Sequence, residues 1–194
     1  PLNTVPRTTS VQSLELKRDA AQGQSAVDVG FLAGVVPGNA RELRHLRHAG
    51  VFGFKAFMCD SGVAEFPPVS DADLRQALLM LASLDGLLMV HAEDPSLLRP
   101  ATGPTRRHDE WLATRPASAE MRAVEELIPL TREFGARVHV VHVSPPDTAR
   151  GIAEARDAGD RIARGDEAGP LEGLPFGVKE LEDLAGFPST HGSV

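Results

Sequence analysis

Short apolar runs and longer amphipathic stretches alternate through the first 158 residues. Four runs are nearly continuous in apolar side chains: residues 27–36 (VDVGFLAGVV), 51–58 (VFGFKAFM), 87–91 (LLMVH) and 138–144 (VHVVHVS). Each is rich in β-branched or aromatic residues and short enough to be a strand covered on both faces, the habit of parallel sheets. The intervening segments read as helices. Residues 10–22 open on Ser10 as a cap and close before Gly23, and residues 39–49 set Leu43 and Leu46 on one side and stop at Gly50. Residues 70–85 begin with Ser70 and place Asp71 and Asp73 at the positive end of the helix. Residues 118–134 repeat apolar side chains at Met121, Val124, Leu127 and Ile128 before Gly135, and residues 146–158 carry Pro146 at their start. This alternation predicts an α/β architecture with a parallel sheet of four clear strands and a fifth at the very start. Eight strands would close a (β/α)8 barrel, which takes about 250 residues, so part of such a barrel is the expectation.

The alternation stops after Gly159. Residues 160–194 hold seven acids and three bases, with Gly and Pro recurring throughout. The sequence predicts a loop-rich tail over residues 159–194 with no independent core.

Charge and composition narrow the function. The net charge is −7 and no basic block of five residues occurs, which argues against nucleic-acid or anionic-membrane partners. No apolar stretch approaches the 18 residues of a membrane span. The single cysteine, Cys59, excludes an intrachain disulfide and fits a reducing, cytoplasmic compartment. The chain starts at Pro1 without a charged-then-apolar signal segment and reads as a piece of something longer.

Three residues sit late in apolar strand runs: Lys55 in GFKAF, His91 in MVHAED and His142 in VVHVS. In a parallel barrel, strand C-termini form the active-site face. A strand histidine taken alone reads as a hydrogen-bonded core residue. A buried lysine taken alone reads as an ion-pair partner, here of Asp60 or Glu93. The set of three opens another reading. Carbon dioxide can carbamylate a lysine into a carboxylate-like bridge between two metal ions, with neutral imidazoles from neighbouring strands as zinc ligands. Two metals about 3.5–4 Å apart hold a hydroxide and polarise a carbonyl.

The blocks PLNTVPRTTS, VDVGFLAGVVPGN, AGVFGFKAFM, SGVAEFPPV, LMVHAEDP and ARVHVVHVS, in this order, resemble allantoinases of the cyclic amidohydrolase group, relatives of dihydroorotase and hydantoinase. The resemblance covers residues 1–158. It implies a metal-dependent (β/α)8 TIM barrel, represented here by about strands 3 to 6 with their helices. The implied reaction opens a cyclic amide by metal-activated water, as when the hydantoin ring of allantoin becomes allantoate. By motif, Lys55 matches the carbamylated, metal-bridging lysine, and His91 and His142 match the histidines of the second metal. Asn3 matches a substrate-side position. The Ser61–Phe66 loop is expected near the pocket mouth. The resemblance also implies a small cyclic amide or ureide as partner, zinc as cofactor, and a homo-oligomer for the intact family.

His139 differs from His142 by three positions, so strand alternation sets it on the opposite face as a packing or hydrogen-bonding residue. His45 and His48 read as solvated, His108 has no matched role, and Cys59 reads as a small buried residue. The family's first-strand His-x-His pair and its last-strand base aspartate have no counterpart in these 194 residues. A general base of that kind contributes about 10²–10⁴-fold, so the chain alone is expected to be truncated at both ends and inactive. The alternative is a non-catalytic fragment or fusion product with an open sheet edge.

The tail carries a second resemblance. GPLEGLPFGVKELEDLAGFPSTHGS is similar to the N-terminal block of amidase-signature enzymes, whose GVK lysine is the base of a Ser–Ser–Lys triad; Lys179 matches it. The two serines of that triad have no counterpart here, since Ser189 and Ser193 lie in the wrong context. Lys179 is therefore a base without a nucleophile. An amidase-type serine hydrolase fragment is the third reading of the chain.

Overall fold

The structure, a computed structural model, describes residues 4–100, 103 and 107–163. Asn3, Lys179 and the amidase-like segment lie outside the described residues. Two compact units share the chain. The first holds the residues up to His91 together with Leu130–His139, and the second holds Ala92–Pro129 and the residues from Val140 onward.

The elements run α1 (Val11–Ala21), β1 (Leu32–Gly34), α2 (Ala40–His48), β2 (Gly53–Phe57), α3 (Asp71–Ala82), β3 (Leu87–His91), a 3₁₀ turn (Pro95–Leu97), α4 (His108–Leu112), α5 (Ala117–Phe134), β4 (Arg137–Val140) and α6 (Pro146–Ala163). The capping predictions hold. Ser10 and Ser70 each accept the N–H of their third following residue, Ser13 and Asp73, whose side chains reach back to the cap in return. Gly50 and Gly135 end α2 and α5 at positive φ, +90° and +59°, where a side chain would be strained.

The sheet order is β1-β2-β3-β4. β1 pairs with β2, and β2 with β3, in parallel. Sequential neighbours in parallel require helical crossovers, and α2 and α3 supply them. Strand alternation then divides the sheet into two unlike faces. Phe54, Ala56, Leu88, Val90 and Val138 point one way and are fully buried. They share a core with Leu43, Leu46, Leu78 and Leu81 of α2 and α3, also at 0% exposure. The opposite face of β2 and β3 carries Lys55, Phe57, Met89 and His91, because Lys55 pairs with Met89 and Phe57 with His91.

Four expectations are corrected. The run at residues 27–36 yields only the short β1. Leu32 pairs with Gly53, the first residue of β2, so nothing remains upstream for residues 27–31 to pair with beyond the Phe52 N–H donated to Phe31 O. Val27 and Val29 are left 76% and 45% exposed. The run at residues 138–144 stops as β4 at Val140, because His142 takes φ +45° and turns the chain out of extended geometry. The last helix continues through Gly159 to Ala163; an internal glycine costs about 1 kcal/mol, which its alanine-rich surroundings absorb. The expected strand at the very start is absent among the described residues, where Thr8 O accepts the Gly34 N–H beside β1. Pro95–Leu97 and α4 had no signal strong enough to predict them.

Candidate metal centre

Lys55 stands at the middle of β2, and its alternation with the buried Phe54 and Ala56 turns it to the half-buried face. Its Nζ is buried and has no hydrogen-bond partner among the described residues. The expected ion pair is therefore not how this amine is satisfied. Asp60 Oδ1 instead accepts the Gly62 N–H, and Glu93 pairs with Arg115. The ammonium lies 4.4 Å from the centre of the Phe57 ring, a cation–π contact. Burial pulls the Lys55 pKa down to about 8, and the Cys59 thiol works in the opposite direction. Lys55 thus holds far more neutral amine near neutral pH than an exposed lysine does.

His91 ends β3, and its carbonyl accepts the Met58 N–H at 3.0 Å, which ties the two strand ends together. Its imidazole stacks on Phe57, with ring centres 5.3 Å apart and planes 26° from parallel. Phe57 meets Phe66 edge-on at 5.3 Å, and Phe66 is held by the Ser61 hydroxyl donating to its carbonyl at 2.7 Å. The Ser61–Phe66 loop therefore does reach the lysine. Phe66, Lys55, Thr8 and Lys17 line one small cavity of about 20 Å³, room for about one water. Gly34 is required on its wall: a Cβ there would meet the Phe66 ring at 2.5 Å.

Two further groups join Lys55 and His91 in the first unit. Cys59 is buried, as expected, and its Sγ lies within 4.8 Å of an imidazole nitrogen of His91. His139 sits on β4 between the buried Val138 and Val140. Burial, and then the positive charge of Lys55, hold its pKa below the ordinary histidine value. His139 is therefore within electrostatic reach of the lysine. The alternation that set it apart from His142 does not extend that far, since β4 ends at Val140. His45, His48 and His108 are solvent-exposed.

His142 belongs to the second unit, two residues beyond β4. Ser144 Oγ donates to the His142 carbonyl at 3.3 Å. The Ser144 N–H is shared by both carboxylate oxygens of Glu120, each at 3.2 Å. Burial raises the Glu120 pKa to about 7, aided by the nearby Glu93. Sequence reasoning missed Glu120: one acid in the first turn of α5 carries no signal of a partner 24 residues away. His139 was legible only through the register of β4.

The chemistry of this donor set fits a metal. Sheet register brings Lys55 and His91 to one face, a buried amine has no hydrogen-bond partner among the described residues, and a thiol and an imidazole whose pKa burial lowers stand in the same unit. Parallel strands joined by helical crossovers define the class, an α/β architecture with a parallel sheet.

Comparison with known proteins agrees. No family model matches the chain. It is 45% identical over 165 residues to an allantoinase of Streptomyces avermitilis, covering 84% of this chain and 37% of that protein. The Saccharomyces cerevisiae allantoinase is 39% identical over 165 residues, covering 82% and 36%. Among solved structures, L-hydantoinase (dihydropyrimidinase) from Arthrobacter aurescens superposes with a TM-score of 0.72 at 30% identity, over 85% of this chain and 36% of that one. The chain is thus similar in sequence to allantoinases and in fold to L-hydantoinase, and spans a little over a third of their length.

Proposed function

We propose that Lys55, His91 and His142 form part of a zinc centre that hydrolyses a cyclic amide of the allantoin type. The observation that carries this reading is the buried Lys55 Nζ, without a hydrogen-bond partner among the described residues, on the face that also presents His91. The neutral amine, which burial makes more abundant than in an exposed lysine, is the form that attacks carbon dioxide, and its carbamate would give the metal an oxygen ligand in place of a repelling charge. Bound metal would supply an activated water and polarise the amide carbonyl. This chain's own residues hold the donors still: Phe57 contacts both Lys55 and His91, and the Met58–His91 hydrogen bond ties the strand ends. Relatives named as allantoinases and hydantoinases support a cyclic amide or ureide as substrate. The His-x-His pair and the base aspartate implied by the resemblance are not among the 194 residues, so these residues supply a partial site.

The test loads the purified chain with zinc in bicarbonate buffer, measures bound metal by elemental analysis and assays allantoin ring opening. The reading predicts retained zinc, lost on His91→Ala, with no turnover above background. A chain that retains no zinc, or that opens allantoin at a full enzymatic rate, contradicts it.

A further inference from the structure

We propose that Glu120 is a positioning residue for His142: its carboxylate clamps the Ser144 backbone and so fixes the turn from which His142 projects. The inference rests on the reading of His142 as a metal ligand and extends it to a residue without an assigned role.

Three observations within the second unit carry it. His142 adopts φ +45°, a conformation that non-glycine residues hold only where their surroundings enforce it. The enforcing contacts are local. Ser144 Oγ closes back onto the His142 carbonyl, and the Ser144 N–H is received by both oxygens of Glu120. Glu120 is itself fixed, because it lies in the first turn of α5, and the preceding residue of that helix, Ala119, is fully buried and accepts the Asp94 N–H at 2.8 Å. A rigid helix therefore grips a loop by a half-buried carboxylate immediately downstream of a strained histidine. Without the clamp the Ser144 N–H loses its acceptor, and the turn at His142 can relax to ordinary backbone angles. A ligand that must be ordered on binding holds metal less tightly, and loss of such outer supports costs about 10–100-fold in affinity.

The experiment measures zinc affinity by competition with a chromophoric chelator at fixed pH. The proteins are the full chain, Glu120→Ala, Glu120→Gln, Glu120→Asp and His142→Ala, with thermal melting of each. Glutamine keeps the length of the arm and one acceptor oxygen, whereas aspartate keeps the charge and withdraws it by one methylene. The expected result is a 10–100-fold loss for Glu120→Ala and Glu120→Asp, affinity within about threefold of the parent for Glu120→Gln, and a loss for His142→Ala at least as large as that of Glu120→Ala. If Glu120→Ala fails to fold, Glu120→Asp against Glu120→Gln decides the question. Undiminished affinity in Glu120→Asp, or an equal loss in Glu120→Gln, overturns the clamp while leaving His142 as a ligand. A parent chain without zinc affinity, or one indifferent to His142→Ala, overturns the ligand reading and the clamp with it.

Discussion

Lys55 is the residue on which the proposed chemistry turns, and its titration is open to measurement. The folded chain releases the Lys55 proton near pH 8 and the unfolded chain near 10.5. Between those values the unfolded state binds more protons, so stability rises with pH across that window; below pH 8 the fold bears the cost of a buried ammonium. Lys55→Met removes that cost. At pH 7 the variant should be more stable than the parent by roughly 3 kcal/mol at most, and the gap should close between pH 8 and 10.5 in parallel denaturant titrations. A constant gap would mean that Lys55 keeps its ordinary pKa. Glu120 runs with the opposite sign. Its folded pKa of about 7 lies above the ordinary 4.5, so its contribution to stability is complete below pH 4.5 and is lost as pH rises through 7. Relative to Glu120→Gln, the parent should lose stability across that interval, read as the difference in melting temperature. At this scale Lys55, His91 and His142 were legible as candidates, because charged or imidazole groups inside apolar runs stand out. It concealed Glu120 and the strained turn at His142, which depend on a contact between distant segments.

Helices and strands show the same division. Caps were legible because the Ser70 and Ser10 signals are local, and the structure realises both. Ser70→Ala should cost about 1 kcal/mol, measured as a shift in the chemical-denaturation midpoint, and Ser70→Asp should recover most of it. Strand lengths were not legible, because they depend on a neighbour. β1 can be no longer than the partner positions that β2 offers it, whatever the apolarity of residues 27–31. The two-faced pattern of β2 makes a sharper prediction. Phe54 and Lys55 are adjacent, yet one is fully buried in the core and the other lies on the opposite, half-buried face. Phe54→Ala should destabilise by about 3–5 kcal/mol, whereas Lys55→Met should not destabilise at all. Equal losses would mean that the strand's faces are not divided as its register implies.

Taken whole, the molecule is a segment of a barrel architecture. Its described strands follow one another in sheet order, and its likeness to allantoinases and to L-hydantoinase covers more than four-fifths of its length while spanning little over a third of theirs. No described helix is long and apolar enough to cross a membrane. What the segment would contribute to the proposed chemistry is a lysine whose pKa burial lowers to about 8. The most direct measurement is the carbon NMR spectrum of the zinc-loaded chain in ¹³C-bicarbonate near pH 8. A protein-bound carbamate resonance that disappears in Lys55→Ala is the predicted result. A spectrum in which the parent and Lys55→Ala are indistinguishable would contradict the account.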